Sequence, residues 1–264
     1  MRGSIVGNQF INYAIEDAVA TVVINNPPAN ALSSHVMTEI EQVFDEMASN
    51  QRVKVVVFTG SGTFFITGAD IREIASIGSA KQGEDLTAKG QGIFNKIETL
   101  SKPVIAAING MCLGGGLELA MACHMRVASE RARFGQPEIN LGIIPGFGGT
   151  QRLARLVGLS KAIELILTGD MITAQEAKDL GLLIKVVPDS EVLKQAQGLA
   201  RKIASKGQVA VRLALEAIRE GYKKPLAEGL ALESRFFGQV CTTQDMKEGL
   251  KAFIEKRQPK FQDR

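Results

Sequence analysis

Glu118 and Glu138 stand apart from the other acidic residues because neither lies in a charged run. Glu118 follows three consecutive glycines, Gly114 to Gly116, and precedes Leu119-Ala120-Met121-Ala122. Glu138 follows Gly135-Gln136-Pro137 and precedes Ile139. A carboxyl group with few polar neighbours is poorly solvated as an anion, so its pKa rises and it can exchange protons near neutral pH. Two such groups aimed at one pocket would permit paired acid–base work. Taken alone, Glu138 also fits a helix cap or a salt bridge.

Three glycines ahead of a helix leave main-chain N–H groups open at the positive end of the helix dipole. Such a site suits an anion, or a carbonyl oxygen that becomes one. A tight packing contact explains a bare triplet equally well. Glu118 would lie within one helical turn of that site, which links the two features. Pro137 restricts the residue before it and helps to aim Glu138, and Pro145-Gly146-Phe147-Gly148-Gly149 adds a pliable wall.

Other chemistries are poorly served. His35 and His124 lie far apart with no H-E-x-x-H or triad-like signature, which argues against a histidine zinc site or a Ser-His hydrolase. Gly60-Ser61-Gly62 lacks the third glycine of a dinucleotide fingerprint and runs on into Thr63-Phe64-Phe65-Ile66. Cys112, Cys123 and Cys241 are odd in number with no C-x-x-C pair, as expected of reduced, mostly buried thiols in a cytoplasmic protein; a reactive cysteine is the sharper alternative. A formal charge of +3, from 31 basic and 28 acidic residues, demands no nucleic-acid partner. The opening MRGSIVGNQF has no apolar run of signal-peptide length and no later segment reaches about 18 apolar residues, so neither export nor membrane association is expected.

The elements that must position the glutamates follow from periodicity. At 264 residues and 45% apolar the chain can bury a large core. Strands are expected at 10–15 and 18–24, 53–59, 104–108, 125–128 and 182–187. Ser33 or Ser34 caps a helix with the stripe Val36, Ile40, Val43, Phe44 and Met47. Residues 74–92, rich in glycine, read as a mobile segment leading into a helix that ends near Leu100. Short helices are expected at 117–123 and from 149 to 157, and Thr173 to Glu176 has capping-box spacing. Beyond Ser190 only helical patterns occur, at 192–206, 208–220, 226–240 and 244–256. The division is therefore an α/β core, 1–189, carrying the site, and a helical region, 190–264, whose apolar stripes pack internally or await a partner subunit.

Several of these stretches together resemble the enoyl-CoA hydratase (crotonase) family: NNPPANALS at 25–33, TGADI at 67–71, KPVIAAINGMCLGGGLELAMAC at 102–123, FGQPEINLGIIPGFGGTQRL at 134–153, LTGDMITAQEAKDLGLL at 167–183 and FIEKRQPKF at 253–261. The resemblance implies a spiral of repeated ββα units with a C-terminal helical region that trimerises, often into a hexamer, and a coenzyme A thioester as substrate. It implies hydration of a trans-2-enoyl-CoA to the (3S)-3-hydroxyacyl-CoA, without metal or separate cofactor. The N–H groups of Ala69 and Gly115 would form the oxyanion hole, Glu118 would activate water, and Glu138 would supply the proton. Gly68, Asp70, Ile71, Gly114, Pro145 and Gly146 are the further substrate-binding positions. Ala29, Asn30 and Leu32 would follow the adenine and pantetheine path, with Phe237 and Lys256 near the nucleotide end. Arg72, a further substrate-binding position, stands where many relatives have lysine and would keep the charge for a phosphate contact with changed geometry, and Thr67 is less usual than a small apolar residue or serine. Within the superfamily an isomerase or a branched-chain hydratase is the nearest alternative, and a non-catalytic or RNA-binding relative a remote one.

Overall fold

The computed structural model describes residues 6–264, so the first five residues of the N-terminal reading lie outside it. Strands β1 (Val6–Gly7), β2 (Ile11–Glu16) and β3 (Val19–Ile24) open the chain. β2 and β3 form the expected hairpin, turned one residue later than expected by Asp17 and Ala18 at φ 50° and 61°. Two loop residues at positive φ give a turn whose twist matches that of paired strands. Helix α1 (Ser34–Ser49) begins where the Ser33 hydroxyl accepts from Val36 N at 3.3 Å, and it buries the whole expected stripe.

Three turns of like construction follow. β4 (Val55–Gly60) and β5 (Phe64–Ile66) lead into α2 (Ile71–Ala75) and α3 (Ala80–Glu98). β6 (Val104–Ile108) and β7 (Met111–Leu113) lead into α4 (Gly115–Ala122). β8 (Met125–Ser129) and β9 (Arg133–Gly135) lead into a 3-10 turn (Pro137–Leu141) and α5 (Gly149–Val157). The chain continues through α6 (Leu159–Thr168), β10 (Ile172–Thr173), α7 (Ala174–Asp179), β11 (Lys185–Val187), α8 (Val192–Ala204), α9 (Gln208–Gly221), α10 (Leu226–Val240) and α11 (Gln244–Ile254).

The first strand of each turn joins a seven-stranded sheet of order β1-β2-β3-β4-β6-β8-β11, parallel from β3 onward. The second joins a four-stranded sheet, β10-β9-β7-β5, in which β5, β7 and β9 are parallel. Each ββα turn thus adds one strand to each sheet and advances the spiral. The large sheet is buried on both faces, as the β-branched runs require. Val56, Phe58, Ala106 and Ile108 face α1, α3 and α4, whereas Val55, Val57, Ile105 and Ala107 face α8. Val192, Ala196, Ala200 and Ala204 form one side of α8 at i+4 spacing and let it lie close against the strands. The boundary at 189/190 therefore falls just before a helix that covers the core.

The segment 74–92 is not loose. From Ala80 onward it is the first two-thirds of α3, capped where the Ser79 hydroxyl accepts from Gln82 N at 3.3 Å. Gly83, Gly90 and Gly92 weaken the local propensity, but Gly90 is needed for packing because a Cβ there would overlap the ring of Phe147. α2, α6, β5, β7, β9 and β10 were also not expected: each is short or framed by glycines, and pairing in the second sheet rather than local pattern defines the four strands.

Candidate active site

α4 is the element around which the site is built, and all eight of its residues are buried. Gly114 caps its start at φ 51° and ψ −126°, a conformation closed to L side chains. The helix begins two residues earlier than the pattern suggested, which places Glu118 in its first turn with only 1% of its surface exposed. Its Oε1 accepts two backbone hydrogen bonds, from Phe147 N at 2.8 Å and Gly149 N at 2.6 Å. Burial pushes the Glu118 carboxyl up to about 7, and the negative charge of Glu138 adds to the rise. The two N–H donors and the guanidinium of Arg152 pull the other way.

Glu138 sits half-buried in the 3-10 turn, with its pKa raised by burial. Beside it the fully buried Gln136 amide lies 3.0 and 3.2 Å from Oε1 and Oε2 when its NH2 is turned toward the carboxylate. Rotated by half a turn, the same amide would present its carbonyl to a protonated Glu138, while its NH2 reaches Gly114 O at 3.4 Å. Gln136 can therefore match either protonation state. Both glutamates line one cavity of about 430 Å³.

Two free N–H groups reach the same place. Leu32 and Ala69 form an isolated parallel bridge in which Leu32 N donates to Gly68 O at 2.8 Å and Asp70 N donates to Leu32 O at 3.0 Å. This pattern engages the residues on either side of Ala69 and leaves the Ala69 N–H over. Gly115 opens α4, so its N–H has no partner in the helix. A Cβ built on Gly115 would lie 3.6 Å from Ala69 N, so the two donors are neighbours. Asp70 then caps α2 by accepting from Arg72 N at 2.8 Å.

The expected positions divide by location. Gly68, Ala69, Asp70, Ile71, Gly114, Gly115, Glu118, Glu138 and Gly146 line the cavity. Pro145 is buried beside it, against Gly149. Arg72 is exposed on α2 and does not line it. Ala29 gives its carbonyl to the Thr67 hydroxyl at 3.0 Å. Asn30, expected along a ligand path, instead turns its amide inward onto the carbonyls of Ser61, Phe64 and Phe65 at 3.0–3.2 Å, bracing the loop. Leu32 is buried and packs against Gly115. Phe237 is 70% exposed on α10, and Lys256 follows the end of α11 at φ 53°; neither lines the cavity of this single chain.

Sequence reasoning missed the rest of the wall, formed by Ile74, Ile77, Leu86 and Thr87 with Leu141 and Ile144. It also passed over Gln136, whose amide faces Glu138, and Arg152, which holds Phe147 O beside Glu118. Their only signal was adjacency to GQPE and GGTQR. Together the parts make a pocket with one apolar side, two carboxyl groups of raised pKa and a pair of N–H donors of the kind that can stabilise an oxygen gaining charge.

The chain matches the family model for enoyl-CoA hydratase/isomerase over residues 14–264. It is 47% identical to a short-chain-enoyl-CoA hydratase of Clostridium acetobutylicum, covering 92% of this chain and 93% of that one. With a crotonyl-CoA hydratase of Syntrophomonas wolfei it shares 46% identity over 93% of this chain and 95% of the relative. Among solved structures, an enoyl-CoA hydratase from Bacillus anthracis superimposes with a TM-score of 0.90 at 40% identity, covering both chains fully. One from Geobacillus kaustophilus superimposes with a TM-score of 0.95 at 32% identity, covering 99% of this chain and all of that one. No helix among the described residues is long and apolar enough to cross a membrane. On fold, motif and sequence alike, this chain belongs to the enoyl-CoA hydratase/isomerase family.

Proposed function

We propose that the protein hydrates trans-2-enoyl-CoA thioesters to (3S)-3-hydroxyacyl-CoA. The observation that carries this reading is the meeting in one cavity of a buried carboxyl, a half-buried one and the unpaired N–H groups of Ala69 and Gly115. Glu118, ionised, takes a proton from water as its oxygen bonds to the β-carbon. The π electrons move toward the thioester oxygen, where the two N–H groups stabilise the developing enolate, each by roughly 3–4 kcal/mol. Glu138 then delivers a proton to the α-carbon. The proton count closes when the pair exchanges one proton with solvent. An isomerase needs only one carboxylate at this position; the retention of two favours addition of water. The acyl chain would lie along Ile71, Ile74, Ile77 and Leu86.

The same reading makes residues 190–264 the oligomerisation region, in a trimer or a dimer of trimers. Ile218, Tyr222, Leu226 and Phe237 on α9 and α10 are 70–82% exposed, an apolar face that suits a subunit contact. Phe237 and Lys256 would reach the nucleotide of a neighbouring subunit's ligand. The free thiols of Cys112, Cys123 and Cys241 fit a reducing cytoplasm.

The test is loss of enoyl-thioester absorbance with crotonyl-CoA, repeated with Glu118→Gln and Glu138→Gln. Each substitution should lower kcat at least ~10²-fold. Full activity in either variant removes that residue from its assigned role, and a wild type inert toward all chain lengths removes the reading itself.

A further inference from the structure

Arg152, on the first half of α5, joins three parts of the molecule at once. Its Nη1 donates to Phe147 O at 2.9 Å. Its Nε and Nη2 both donate to Glu98 Oε2, at 3.0 and 2.7 Å, and Nη2 also reaches Asn95 Oδ1 at 2.7 Å. Glu98 and Asn95 belong to α3, so the guanidinium is held on the wall opposite the loop it grips. Its side chain is only 12% exposed. The carbonyl it grips lies between the two N–H groups, of Phe147 and Gly149, that hold Glu118 Oε1. Gly148, between them, is at φ 110°, and a Cβ there would overlap the guanidinium.

We propose that Arg152 is the positioning residue for Glu118, fixing the Phe147–Gly148 peptide so that both flanking N–H groups converge on one carboxylate oxygen; this rests on Glu118 acting as the base. Loss of the grip frees the loop at Gly148, and the two donors no longer point together. The charged groups around Glu118 are Glu138 from the 3-10 turn, Arg152 from α5 and, through Arg152, Glu98 from α3. Asp70 lines the same cavity, and β5 and β7 carry no charged side chain. The positive charge of Arg152 also draws the Glu118 pKa down. Removing it and misaligning the donors therefore both act in one direction, toward a base that ionises at higher pH.

The experiment measures kcat/KM against pH for wild type, Arg152→Lys and Arg152→Gln, with melting temperatures as a check on folding. The wild-type acidic limb is expected near the Glu118 value, about 7. In Arg152→Gln it should move up by roughly one pH unit, with a loss of about fivefold at pH 7 that narrows by pH 9. Arg152→Lys keeps the charge without the fork and should move the limb less, in the same direction; it serves alone if the glutamine variant does not fold. A limb that stays in place, or an equal loss at every pH, overturns the proposal. A second arm needs no catalysis: the melting-temperature difference between wild type and Glu118→Gln, followed with pH, reports the Glu118 ionisation. Repeated with Arg152→Gln in both proteins, it should shift upward even if no enoyl thioester is hydrated. Failure there counts against Arg152, whereas failure of wild-type turnover alone counts against the hydratase reading.

Discussion

Gly114 lies so close to Glu138 that a Cβ on its Cα would stand 2.9 Å from Oε1. The residue that caps α4 is thus also a wall of the seat of Glu138. Gly114→Ala should push the Glu138 carboxyl aside and strain a backbone held at φ 51°. We expect kcat to fall by about tenfold or more, and stability by ~1–3 kcal/mol. Steady-state kinetics normalised to folded protein separates the two, and an unchanged kcat would show that the contact is not needed.

Glu118 should destabilise the fold as an anion. Its folded pKa of about 7 lies above the ordinary 4.5, so the native state binds the proton more tightly than the unfolded chain does. Stability then falls as pH rises between these values, and the full penalty, ~3 kcal/mol at most, is present above 7. Glu118→Gln keeps an acceptor for Phe147 N and Gly149 N without the charge. Its melting temperature should exceed that of wild type at pH 8 and converge with it near pH 4; parallel curves would contradict the assignment.

His124 behaves in the opposite sense. Its Nδ1 accepts from Val104 N at 2.9 Å, so the proton sits on Nε2, 3.1 Å from Glu98 O. Burial lowers its pKa to about 4 from 6.5. Because the unfolded chain takes up the proton first, stability is fully present above 6.5 and is lost as pH falls toward 4. His124→Asn, which retains an acceptor near Nδ1, should flatten denaturation midpoints over that window. An unaltered slope would assign the acid loss elsewhere.

Gly90→Ala tests why a poor helix former persists in α3. The added methyl overlaps the Phe147 ring, which also packs edge-on to Phe94 at 5.6 Å between centroids. Overpacking of this kind costs about 1–3 kcal/mol, or a melting temperature lower by roughly 2–10 °C. Because the Phe147 N–H holds Glu118, activity should fall as well. A more stable variant, as propensity alone predicts, would mean that the ring moves freely.

The apolar face of α9 and α10 predicts an assembly. Sedimentation velocity should show wild type as a trimer or larger, and Phe237→Asp with Tyr222→Asp should shift it to smaller species. A monomeric wild type at micromolar concentration would leave that face without its proposed role.

What the sequence made legible was whatever is written locally. The Ser33 cap, the α1 stripe, the hairpin and the capping box of Thr173 and Glu176 each depend on residues a few positions apart, and each is present. Glu118 and Glu138 were conspicuous because apolar and small neighbours surround them in sequence as well as in space. Arg152, Gln136 and the α3 wall were not, since an arginine in an amphipathic helix looks the same whether it meets solvent or Phe147 O. The bracing role of the Asn30 amide was hidden for the same reason: its partners, Ser61, Phe64 and Phe65, lie more than thirty positions away. Glycines 83, 90 and 92 signalled a loop, although Gly90 at least is justified by the Phe147 ring on another element.

The bridge between Leu32 and Ala69 separates what the protein reacts with from how it reacts. The proposed carbonyl-activating groups are main-chain amides, held by main-chain partners, and no side chain need be kept for them to point correctly. The surrounding Ile71, Ile74, Leu86, Leu141 and Ile144 can drift in size, or be redesigned, while the electrophile is polarised as before. A library randomised at those five positions should therefore retain many active members with altered acyl preference, whereas one randomised at Gly114 should retain few.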